Sequence, residues 1–237
     1  MLEKEQPYYY IIFLLLVNYS SVMQYCKNSA VIVGVDEAGR GALAGPVVAG
    51  ACVLPEGVRL PPFICDSKEL HPERRERAYE WIISHCVCGT GIASHDDVDT
   101  NGILTATEKA MQLAVAAIAH IITPTYLLID GRDKFWFDYP HSAIIGGDAS
   151  EPCISAASIV AKVTRDRLMV AHARTFPCYD FEEHKGYGTP QHIDLIRARG
   201  PCAIHRHTFL MNILPPEPPP TVVFSTRGKR RRVRAAA

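Results

Sequence analysis

Two adjacent acids in the first quarter of the chain have the types and spacing to do chemistry. Asp36 and Glu37 directly follow the apolar run 31–35 and precede a Gly-Arg-Gly turn at 39–41. An apolar run of this length predicts a buried strand. Carboxylates at the end of such a strand repel each other and lose hydration, which is costly unless a cation compensates. The segment therefore predicts half of a divalent-metal site, beside a turn whose glycines let the backbone approach a ligand closely.

Two further acids stand at the ends of other predicted strands. Asp130 closes the run 126–129, and Asp148 follows the run 141–145. In an open sheet with helical crossovers, functional groups collect where neighbouring strands end. Together the four acids would hold two Mg²⁺ or Mn²⁺ ions about 3.5–4 Å apart, an arrangement suited to in-line attack of water on a phosphodiester. On spacing alone, Asp148 is an equally good N-cap for the helix that follows it.

The remaining pattern predicts the scaffold that positions these acids. Residues 99–101 offer capping candidates for one of the helices. Three strands followed by helix–strand units predict an α/β fold, a mixed five-stranded sheet flanked by helices. The predicted strands lie at 31–35, 46–54, 88–94, 126–129 and 141–145, and the predicted helices at 72–84, 103–122, 154–173 and 189–199.

Composition restricts how the chain could bind a polyanion. Its 237 residues are 48% hydrophobic with a formal net charge of zero, typical of one globular domain with appendages. The tail 221–237 holds six basic residues and no acid, whereas the body 23–220 holds 18 basic and 23 acidic residues. An acidic body does not attract nucleic acid by bulk charge, so binding would require local basic groups, metal or the tail.

Both ends of the chain are predicted to lie outside the catalytic body, which we place at 23–212. Residues 1–22 form an N-terminal extension whose apolar stretch is too short to cross a bilayer as a helix and lacks the positive start of a signal peptide. Met23 is therefore a candidate for the physiological start. Residues 213–237 read as a Pro-rich linker and a basic disordered tail. Eight cysteines without a Cys-x-x-Cys pair indicate thiols in a reducing compartment, so we expect a cytoplasmic protein that binds no membrane.

Seven short motifs occur in a fixed order along most of the chain. They are GVDEAGRG at 34–41, DSK at 66–68, IDG at 129–131, GDA at 147–149, AASIVAKVTRD at 156–166, KGYGT at 185–189 and HR at 205–206. In this order they resemble the motifs of bacterial ribonuclease HII, the type 2 ribonuclease H. Several motifs in one order are far more specific than any one of them.

The resemblance implies a ribonuclease H-like fold with a small helical C-terminal part. It implies an endonuclease that hydrolyses the RNA strand of RNA–DNA hybrids and incises duplex DNA at embedded ribonucleotides, leaving 5′-phosphate and 3′-hydroxyl ends. It further implies Mg²⁺ or Mn²⁺ as cofactor. Its expected partners are RNA–DNA hybrid and ribonucleotide-containing duplex DNA, bound by a monomer.

The resemblance also assigns roles by position. The implied metal-binding and catalytic carboxylates are Asp36, Glu37, Asp130 and Asp148. The implied contacts to the ribonucleotide are Gly39, Arg40 and Gly41. Tyr187 would sense the 2′-hydroxyl, since only a group near it can tell RNA from DNA at one position. Candidate phosphate contacts are Ser67, Lys68, Lys162, Arg165 and Lys185.

Three positions depart from the family pattern. Ala42, Gly146 and Ser155 stand where the family usually has Pro, Lys and Ala. Ala42 loosens the turn, and Gly146 removes a cation beside the metal site. None of the three removes a carboxylate or Tyr187, so we expect an active enzyme.

Other interpretations of the same residues stay open at this point. A different metal-dependent nuclease of the same superfold, such as a junction resolvase, would need the acids but not Tyr187. A non-enzymatic module could bind nucleic acid through the basic tail alone. Lys162 and Arg165 could form an exposed helix face, and His205-Arg206 suits a structural or phosphate-facing role because metal catalysis requires no histidine.

Overall fold

A five-stranded mixed sheet forms the centre of the molecule, as predicted. The computed structural model describes residues 30–62, 64 and 71–214. The sheet order is β3-β2-β1-β4-β5. Strand β1 pairs antiparallel with β2 and parallel with β4, β2–β3 is antiparallel, and β4–β5 is parallel. The strands are β1 (Ile32–Ala38), β2 (Val47–Val53), β3 (Val87–Ala93), β4 (Tyr126–Asp130) and β5 (His141–Ile144).

Helices cover both faces of this sheet. In the described part of the chain they are α1 (Pro72–His85), α2 (His95–Asn101), α3 (Ile103–Ala119), α4 (Gly147–Ser150), α5 (Pro152–Thr175), α6 (Phe181–His184), α7 (Pro190–Arg199) and α8 (His207–Leu210). Helix α3 packs on β3 and β2, and α5 packs on β1 and β2 from the other side. Helices α6 to α8 form the small helical C-terminal part that the family resemblance implied. None of the helices in the described ranges is both long and apolar enough to cross a bilayer.

Two glycines let α5 lie directly against the sheet. A Cβ at Gly34 would stand 2.2 Å from the backbone carbon of Cys153, and one at Gly50 would stand 2.3 Å from the carbonyl oxygen of Ala157. Both distances are far below van der Waals contact, so only glycine permits this approach. The close seating of α5 brings its side chains within reach of the acids on β1.

Two local predictions were wrong. Strand β1 does not stop before the acids but continues through them to Ala38. Residues 99–101 do not cap the long helix, because they belong to α2, which begins with a capping box between Ser94 and Asp97. Gly102, at φ 81°, then separates α2 from α3, since a residue with positive φ interrupts a helix.

Several other predictions fall outside the described residues. They are the extension 1–22, the linker and basic tail from 215 onward, and the candidate phosphate contacts Ser67 and Lys68.

Replacing Gly34 by alanine should destabilise the protein strongly. The new methyl group would meet the α5 backbone at 2.2 Å, and a helix backbone cannot yield as a flexible side chain does. We expect a loss of at least about 2 kcal/mol in the free energy of unfolding, measured by urea denaturation. Gly41→Ala is the matched control, since a Cβ there meets no atom within 4 Å. Equal stability of the two variants would contradict the proposed packing constraint.

Candidate active site

The register of the parallel strands brings the predicted acids together. Val35 pairs with Ile129 across β1 and β4, so Asp36 and Asp130 follow at the same level of the sheet. Asp148 lies in α4, and its backbone N–H donates a hydrogen bond to Asp130 Oδ1 at 3.3 Å. Acids separated by more than 100 positions in the sequence thus share one edge of the sheet.

Asp36 is buried at the centre of this group, with 6% of its surface exposed. Burial raises the pKa of its carboxyl well above the ordinary value of 3.8, and the charges of Glu37 and Asp130 raise it further. Hydrogen bonds from Ser158 on α5 and from the Glu37 N–H, 2.7 Å from Asp36 Oδ1, act in the opposite direction. The carboxylate is therefore held in a place that disfavours negative charge.

Glu37 stands at the border between the acids and the glycine-rich turn. Burial raises the pKa of its carboxyl, Arg40 opposes this effect, and the charges of Asp130 and Asp133 add to it. Arg40 Nη1 lies 3.3 Å from Glu37 Oε1 and 2.8 Å from Asp133 Oδ2. The guanidinium of the turn is thus already tied to the acids before any ligand binds.

The donor set is chemically suited to a hard divalent cation. Its oxygen atoms belong to carboxylates, which Mg²⁺ and Mn²⁺ prefer, and a cation would offset the burial and the repulsion that raise the pKa of Asp36. Across the described ranges, no three His, Cys, Asp or Glu side chains are already gathered into a cage for a metal ion. The acids therefore interact electrostatically, but their side chains do not surround a single metal position.

A cleft of about 400 Å³ opens beside these acids. Its wall combines one acid, the glycine-rich turn, an aromatic ring and cationic side chains from two helices. The lining residues are Glu37, Ala38, Gly39, Arg40, Gly41, Arg75, Ser158, Ile159, Lys162 and Tyr187. The volume suits a nucleotide-sized group. The positive side chains line the same cleft as Glu37, where they would face a phosphate bound beside the acids.

Tyr187 forms part of the wall of the cleft. Its ring lies under two cations, with Lys162 Nζ 5.2 Å and the Arg165 guanidinium carbon 4.9 Å from the ring centroid. Its backbone forms an isolated antiparallel bridge with Ala42. The turn and the tyrosine, which the resemblance placed in one substrate site, are therefore physically joined.

The prediction that Arg165 contacts phosphate does not fit the position of this residue. The residue has 0% exposure. Its Nε donates to the carbonyl oxygen of Pro46 at 3.0 Å and its Nη2 to that of Ala44 at 3.1 Å. Its Nη1 donates to the carbonyl oxygen of Lys185 at 3.0 Å. A buried guanidinium bonded to backbone in this way positions the loop and is not available to a ligand.

Arg206 has the same kind of surroundings, in agreement with the structural alternative for this motif. It is also 0% exposed. Its Nη1 donates to the carbonyl oxygens of Arg40 and Ala42 at 3.0 and 2.8 Å, and its Nε donates to that of Gly45 at 3.0 Å. Arg165 and Arg206 thus hold the loop 40–46 with five hydrogen bonds to its carbonyl oxygens, and Arg165 makes a sixth to the carbonyl oxygen of Lys185.

The two predicted lysine contacts differ in placement. Lys162 faces the cleft, and its Nζ pairs with Asp166 Oδ1 at 2.7 Å. Lys185 does not line the cleft; its Nζ donates to the carbonyl oxygen of Glu182. Lys162 therefore remains a candidate phosphate contact, and Lys185 remains a prediction without support from this geometry.

Three residues of the site were not predicted from the sequence. Arg75 reaches the cleft from α1, Ser158 faces Asp36 from α5, and Asp133 holds Arg40. Arg75 lies in a run of mixed Arg and Glu that is typical of a solvated helix face, and nothing in the run distinguishes it. Only the packing of α1 against α5 shows which of these arginines faces the site.

Comparison with known proteins gives a consistent family. Residues 33–212 match the family model described as Ribonuclease HII. The ribonuclease HII of Geobacter metallireducens is 49% identical over 180 residues, covering 75% of this chain and 83% of that protein. The ribonuclease HII of Pseudothermotoga lettingae is 45% identical over 185 residues, covering 78% of this chain and 80% of that protein.

Solved structures share the fold. The ribonuclease H2 of Pyrococcus horikoshii OT3 superposes with a TM-score of 0.60 at 26% identity, covering 77% of this chain and 96% of that one. The ribonuclease HII of Archaeoglobus fulgidus, solved in complex with PCNA, gives a TM-score of 0.64 at 24% identity. A ribonuclease HIII solved in complex with Mn²⁺ gives 0.55 at 17% identity.

Replacing Asp36 by asparagine should stabilise the protein when metal is chelated. Because the folded-state pKa of Asp36 lies above 3.8, its contribution to stability is present below that pH and is lost as pH rises through the folded pKa. At neutral pH the variant should therefore melt higher by roughly 3 °C or more, the shift that about 1 kcal/mol produces in a domain of this size.

Differential scanning fluorimetry from pH 4 to 8, with chelator and then with Mn²⁺, checks this prediction. The advantage of Asp36→Asn over the original chain should grow with pH, and Mn²⁺ should raise the Tm of the original chain more than that of the variant. Asp138→Asn, at an exposed acid, is the control. A variant that melts lower than the original chain at pH 7 in chelator would contradict the electrostatic argument.

Proposed function

We propose that this chain, which belongs to the ribonuclease HII family of endonucleases, hydrolyses the RNA strand of RNA–DNA hybrids and incises duplex DNA at embedded ribonucleotides. The observation that carries the proposal is the single edge of the sheet on which coupled acids and a nucleotide-sized cleft lie side by side. Acids alone would suit many nucleases. The joined turn and tyrosine are what favour a substrate with a 2′-hydroxyl.

The acids would supply the catalytic centre. Asp36, Glu37 and Asp130, with Asp148 beside Asp130, would hold Mg²⁺ or Mn²⁺. When bound, such ions activate water and stabilise charge on the scissile phosphate and the leaving 3′ oxygen, which gives 5′-phosphate and 3′-hydroxyl ends. The mutual repulsion of these carboxylates would make the site prefer a bound cation, and a hydrogen bond from Ser158 favours the charged form of Asp36.

The turn and the tyrosine would read the sugar. Gly39, at φ +96°, has no room for a side chain because a Cβ there would stand 2.0 Å from Arg165 Nε, and Gly41 is open to the cleft. Arg40 is held by Glu37 and Asp133 and faces the same space. Tyr187 lines the same cleft, and its ring would pack on the sugar that follows the ribonucleotide. Contacts near the 2′-hydroxyl distinguish RNA from DNA at a single nucleotide.

Two cations would hold the phosphate backbone that enters the cleft. Lys162 and Arg75 project from α5 and α1, and Asp166 lies between them, 2.7 Å from Lys162 Nζ and 3.7 Å from Arg75 Nη1. We propose Arg75 as a phosphate contact in place of Arg165.

We further propose that the protein is a cytoplasmic monomer. Light scattering coupled to size-exclusion chromatography tests the monomeric state directly.

The activity test uses a DNA duplex with one ribonucleotide, an RNA–DNA hybrid, an all-DNA duplex and a branched all-DNA junction. With Mg²⁺ or Mn²⁺ we expect incision 5′ to the ribonucleotide and cleavage of the hybrid, no cleavage of either DNA substrate, and none in chelator. Asp36→Asn should abolish cleavage, while removal of residues 221–237 should leave turnover intact. Cutting of the junction alone would favour the resolvase interpretation.

Removing the two proposed phosphate contacts should weaken binding more than chemistry. Lys162→Gln and Arg75→Gln should each raise KM by roughly threefold to tenfold with a small change in kcat. Each should also reduce the slope of log KM against log salt by about one, the signature of one lost phosphate contact. Arg174→Gln is the matched control, since Arg174 is exposed at the far end of α5. An unchanged salt slope in both variants would contradict the assignment.

A further inference from the structure

A buried histidine cluster lies directly behind Tyr187 and has no part in metal chemistry. His184 is 8% exposed, and His192 and His205 are 0% exposed. His184 and His192 are stacked with ring centroids 4.1 Å apart. Buried polar groups of this kind persist only where each finds a hydrogen-bond partner, so the partners indicate what the cluster holds.

The hydrogen bonds of the cluster run in one direction and end on Tyr187. The N–H of Cys202 donates to His205 Nδ1 at 2.9 Å. His205 therefore carries its proton on Nε2, which donates to His192 Nε2 at 3.1 Å. His192 in turn carries its proton on Nδ1, which donates to the carbonyl oxygen of Tyr187 at 2.9 Å. Only one tautomer of each neutral ring satisfies all three bonds.

We propose that His192 and His205 are positioning residues that fix Tyr187 in the cleft and thereby set selectivity for an embedded ribonucleotide. The inference rests on the proposed function for its kinetic consequence, but the positioning itself can be measured without activity. We name this series of hydrogen bonds, from Cys202 through His205 and His192 to Tyr187, the histidine relay.

The place of Tyr187 depends on its backbone, and the relay acts on that backbone. The Tyr187 N–H donates to the carbonyl oxygen of His184 at 2.9 Å, and its carbonyl oxygen also accepts from the Thr189 N–H at 2.8 Å. The bridge to Ala42 connects this segment to the glycine-rich turn. A shift of the Tyr187 carbonyl would therefore move both the ring and the turn that it contacts.

Burial keeps the relay neutral under ordinary conditions. Burial lowers the pKa of His192 to about 4, with a further contribution from His184. Burial also lowers the pKa of His205 to about 4, with contributions from His192 and His207. Protonation of His192 would place two N–H groups face to face between His192 and His205. Protonation of His205 would do the same between its Nδ1 and the Cys202 N–H, so in either case one bond of the relay would be lost. At neutral pH the donor to Tyr187 is therefore always present.

The kinetic test is a double-mutant cycle at His192 and Tyr187. His192→Leu removes the donor, whereas His192→Asn keeps an N–H near the position of Nδ1. We expect His192→Leu to lower kcat on the single-ribonucleotide duplex by roughly 10- to 100-fold, as a misplaced reacting group does. The RNA–DNA hybrid should lose less, and His192→Asn should recover most of the loss. In a Tyr187→Ala background, His192→Leu should have almost no further effect.

The activity-independent test is hydrogen–deuterium exchange over residues 185–189. His192→Leu and His205→Leu should speed exchange in this segment, while His192→Asn and His205→Gln should leave it close to that of the original chain. Ile118→Ala serves as a control for general destabilisation, because Ile118 is buried under the opposite face of the sheet. That variant should lower Tm without changing the ratio of the two substrates or the exchange of this segment.

The possible results separate the two claims. If the original chain cuts none of the ribonucleotide substrates, the proposed function fails, and the exchange data alone decide whether the relay positions Tyr187. If cleavage is normal but His192→Leu costs as much with Tyr187→Ala as without it, the inference is overturned. Unchanged exchange in the leucine variants, or an equal change in substrate ratio in Ile118→Ala, overturns it as well.

Discussion

Repulsion between buried carboxylates is the constraint around which this structure is built. The parallel pairing of β1 with β4 places Asp36 and Asp130 at one level of the sheet, and burial raises the pKa of Asp36 well above its usual value. A fold that existed only for stability would not place acids here, because each lost hydration shell costs free energy. Such strain is typical of sites that acquire a cation or a substrate.

The positive charges of the site are distributed in a way that leaves this repulsion in place. Arg165 and Arg206 are the most completely buried cations near the acids, yet both donate to backbone carbonyl oxygens of the loop and not to carboxylates. Arg40 forms ion pairs with Glu37, one of the four acids, and with Asp133. The buried arginines thus fix the shape of the loop, while the acids keep their capacity for an added cation.

Much of this arrangement follows from local sequence pattern, and the remainder depends on tertiary packing. Apolar runs gave the five strands, and acids at their ends gave the candidate metal ligands, because side-chain period and strand length are local properties. The role of Arg165 could not be derived in the same way: a cation on a helix looks identical in sequence whether it meets phosphate or a carbonyl oxygen. The short helix α2 was missed because its last residues, 99–101, resemble a cap for the long helix that follows.

Two separate hydrogen-bond systems hold the two halves of the site. The acids are positioned by the sheet, by α4 and by Ser158, whereas the turn and Tyr187 are positioned by the buried arginines and the histidine relay. Helix α5 is the element common to both, since it carries Ser158 toward the acids and Arg165 toward the loop. The seating of α5 on Gly34 and Gly50 therefore sets the distance between the carboxylates and the wall formed by the turn and Tyr187. An added methyl group under α5 would shift the acids relative to the turn and Tyr187, even where each of these groups kept its own hydrogen bonds.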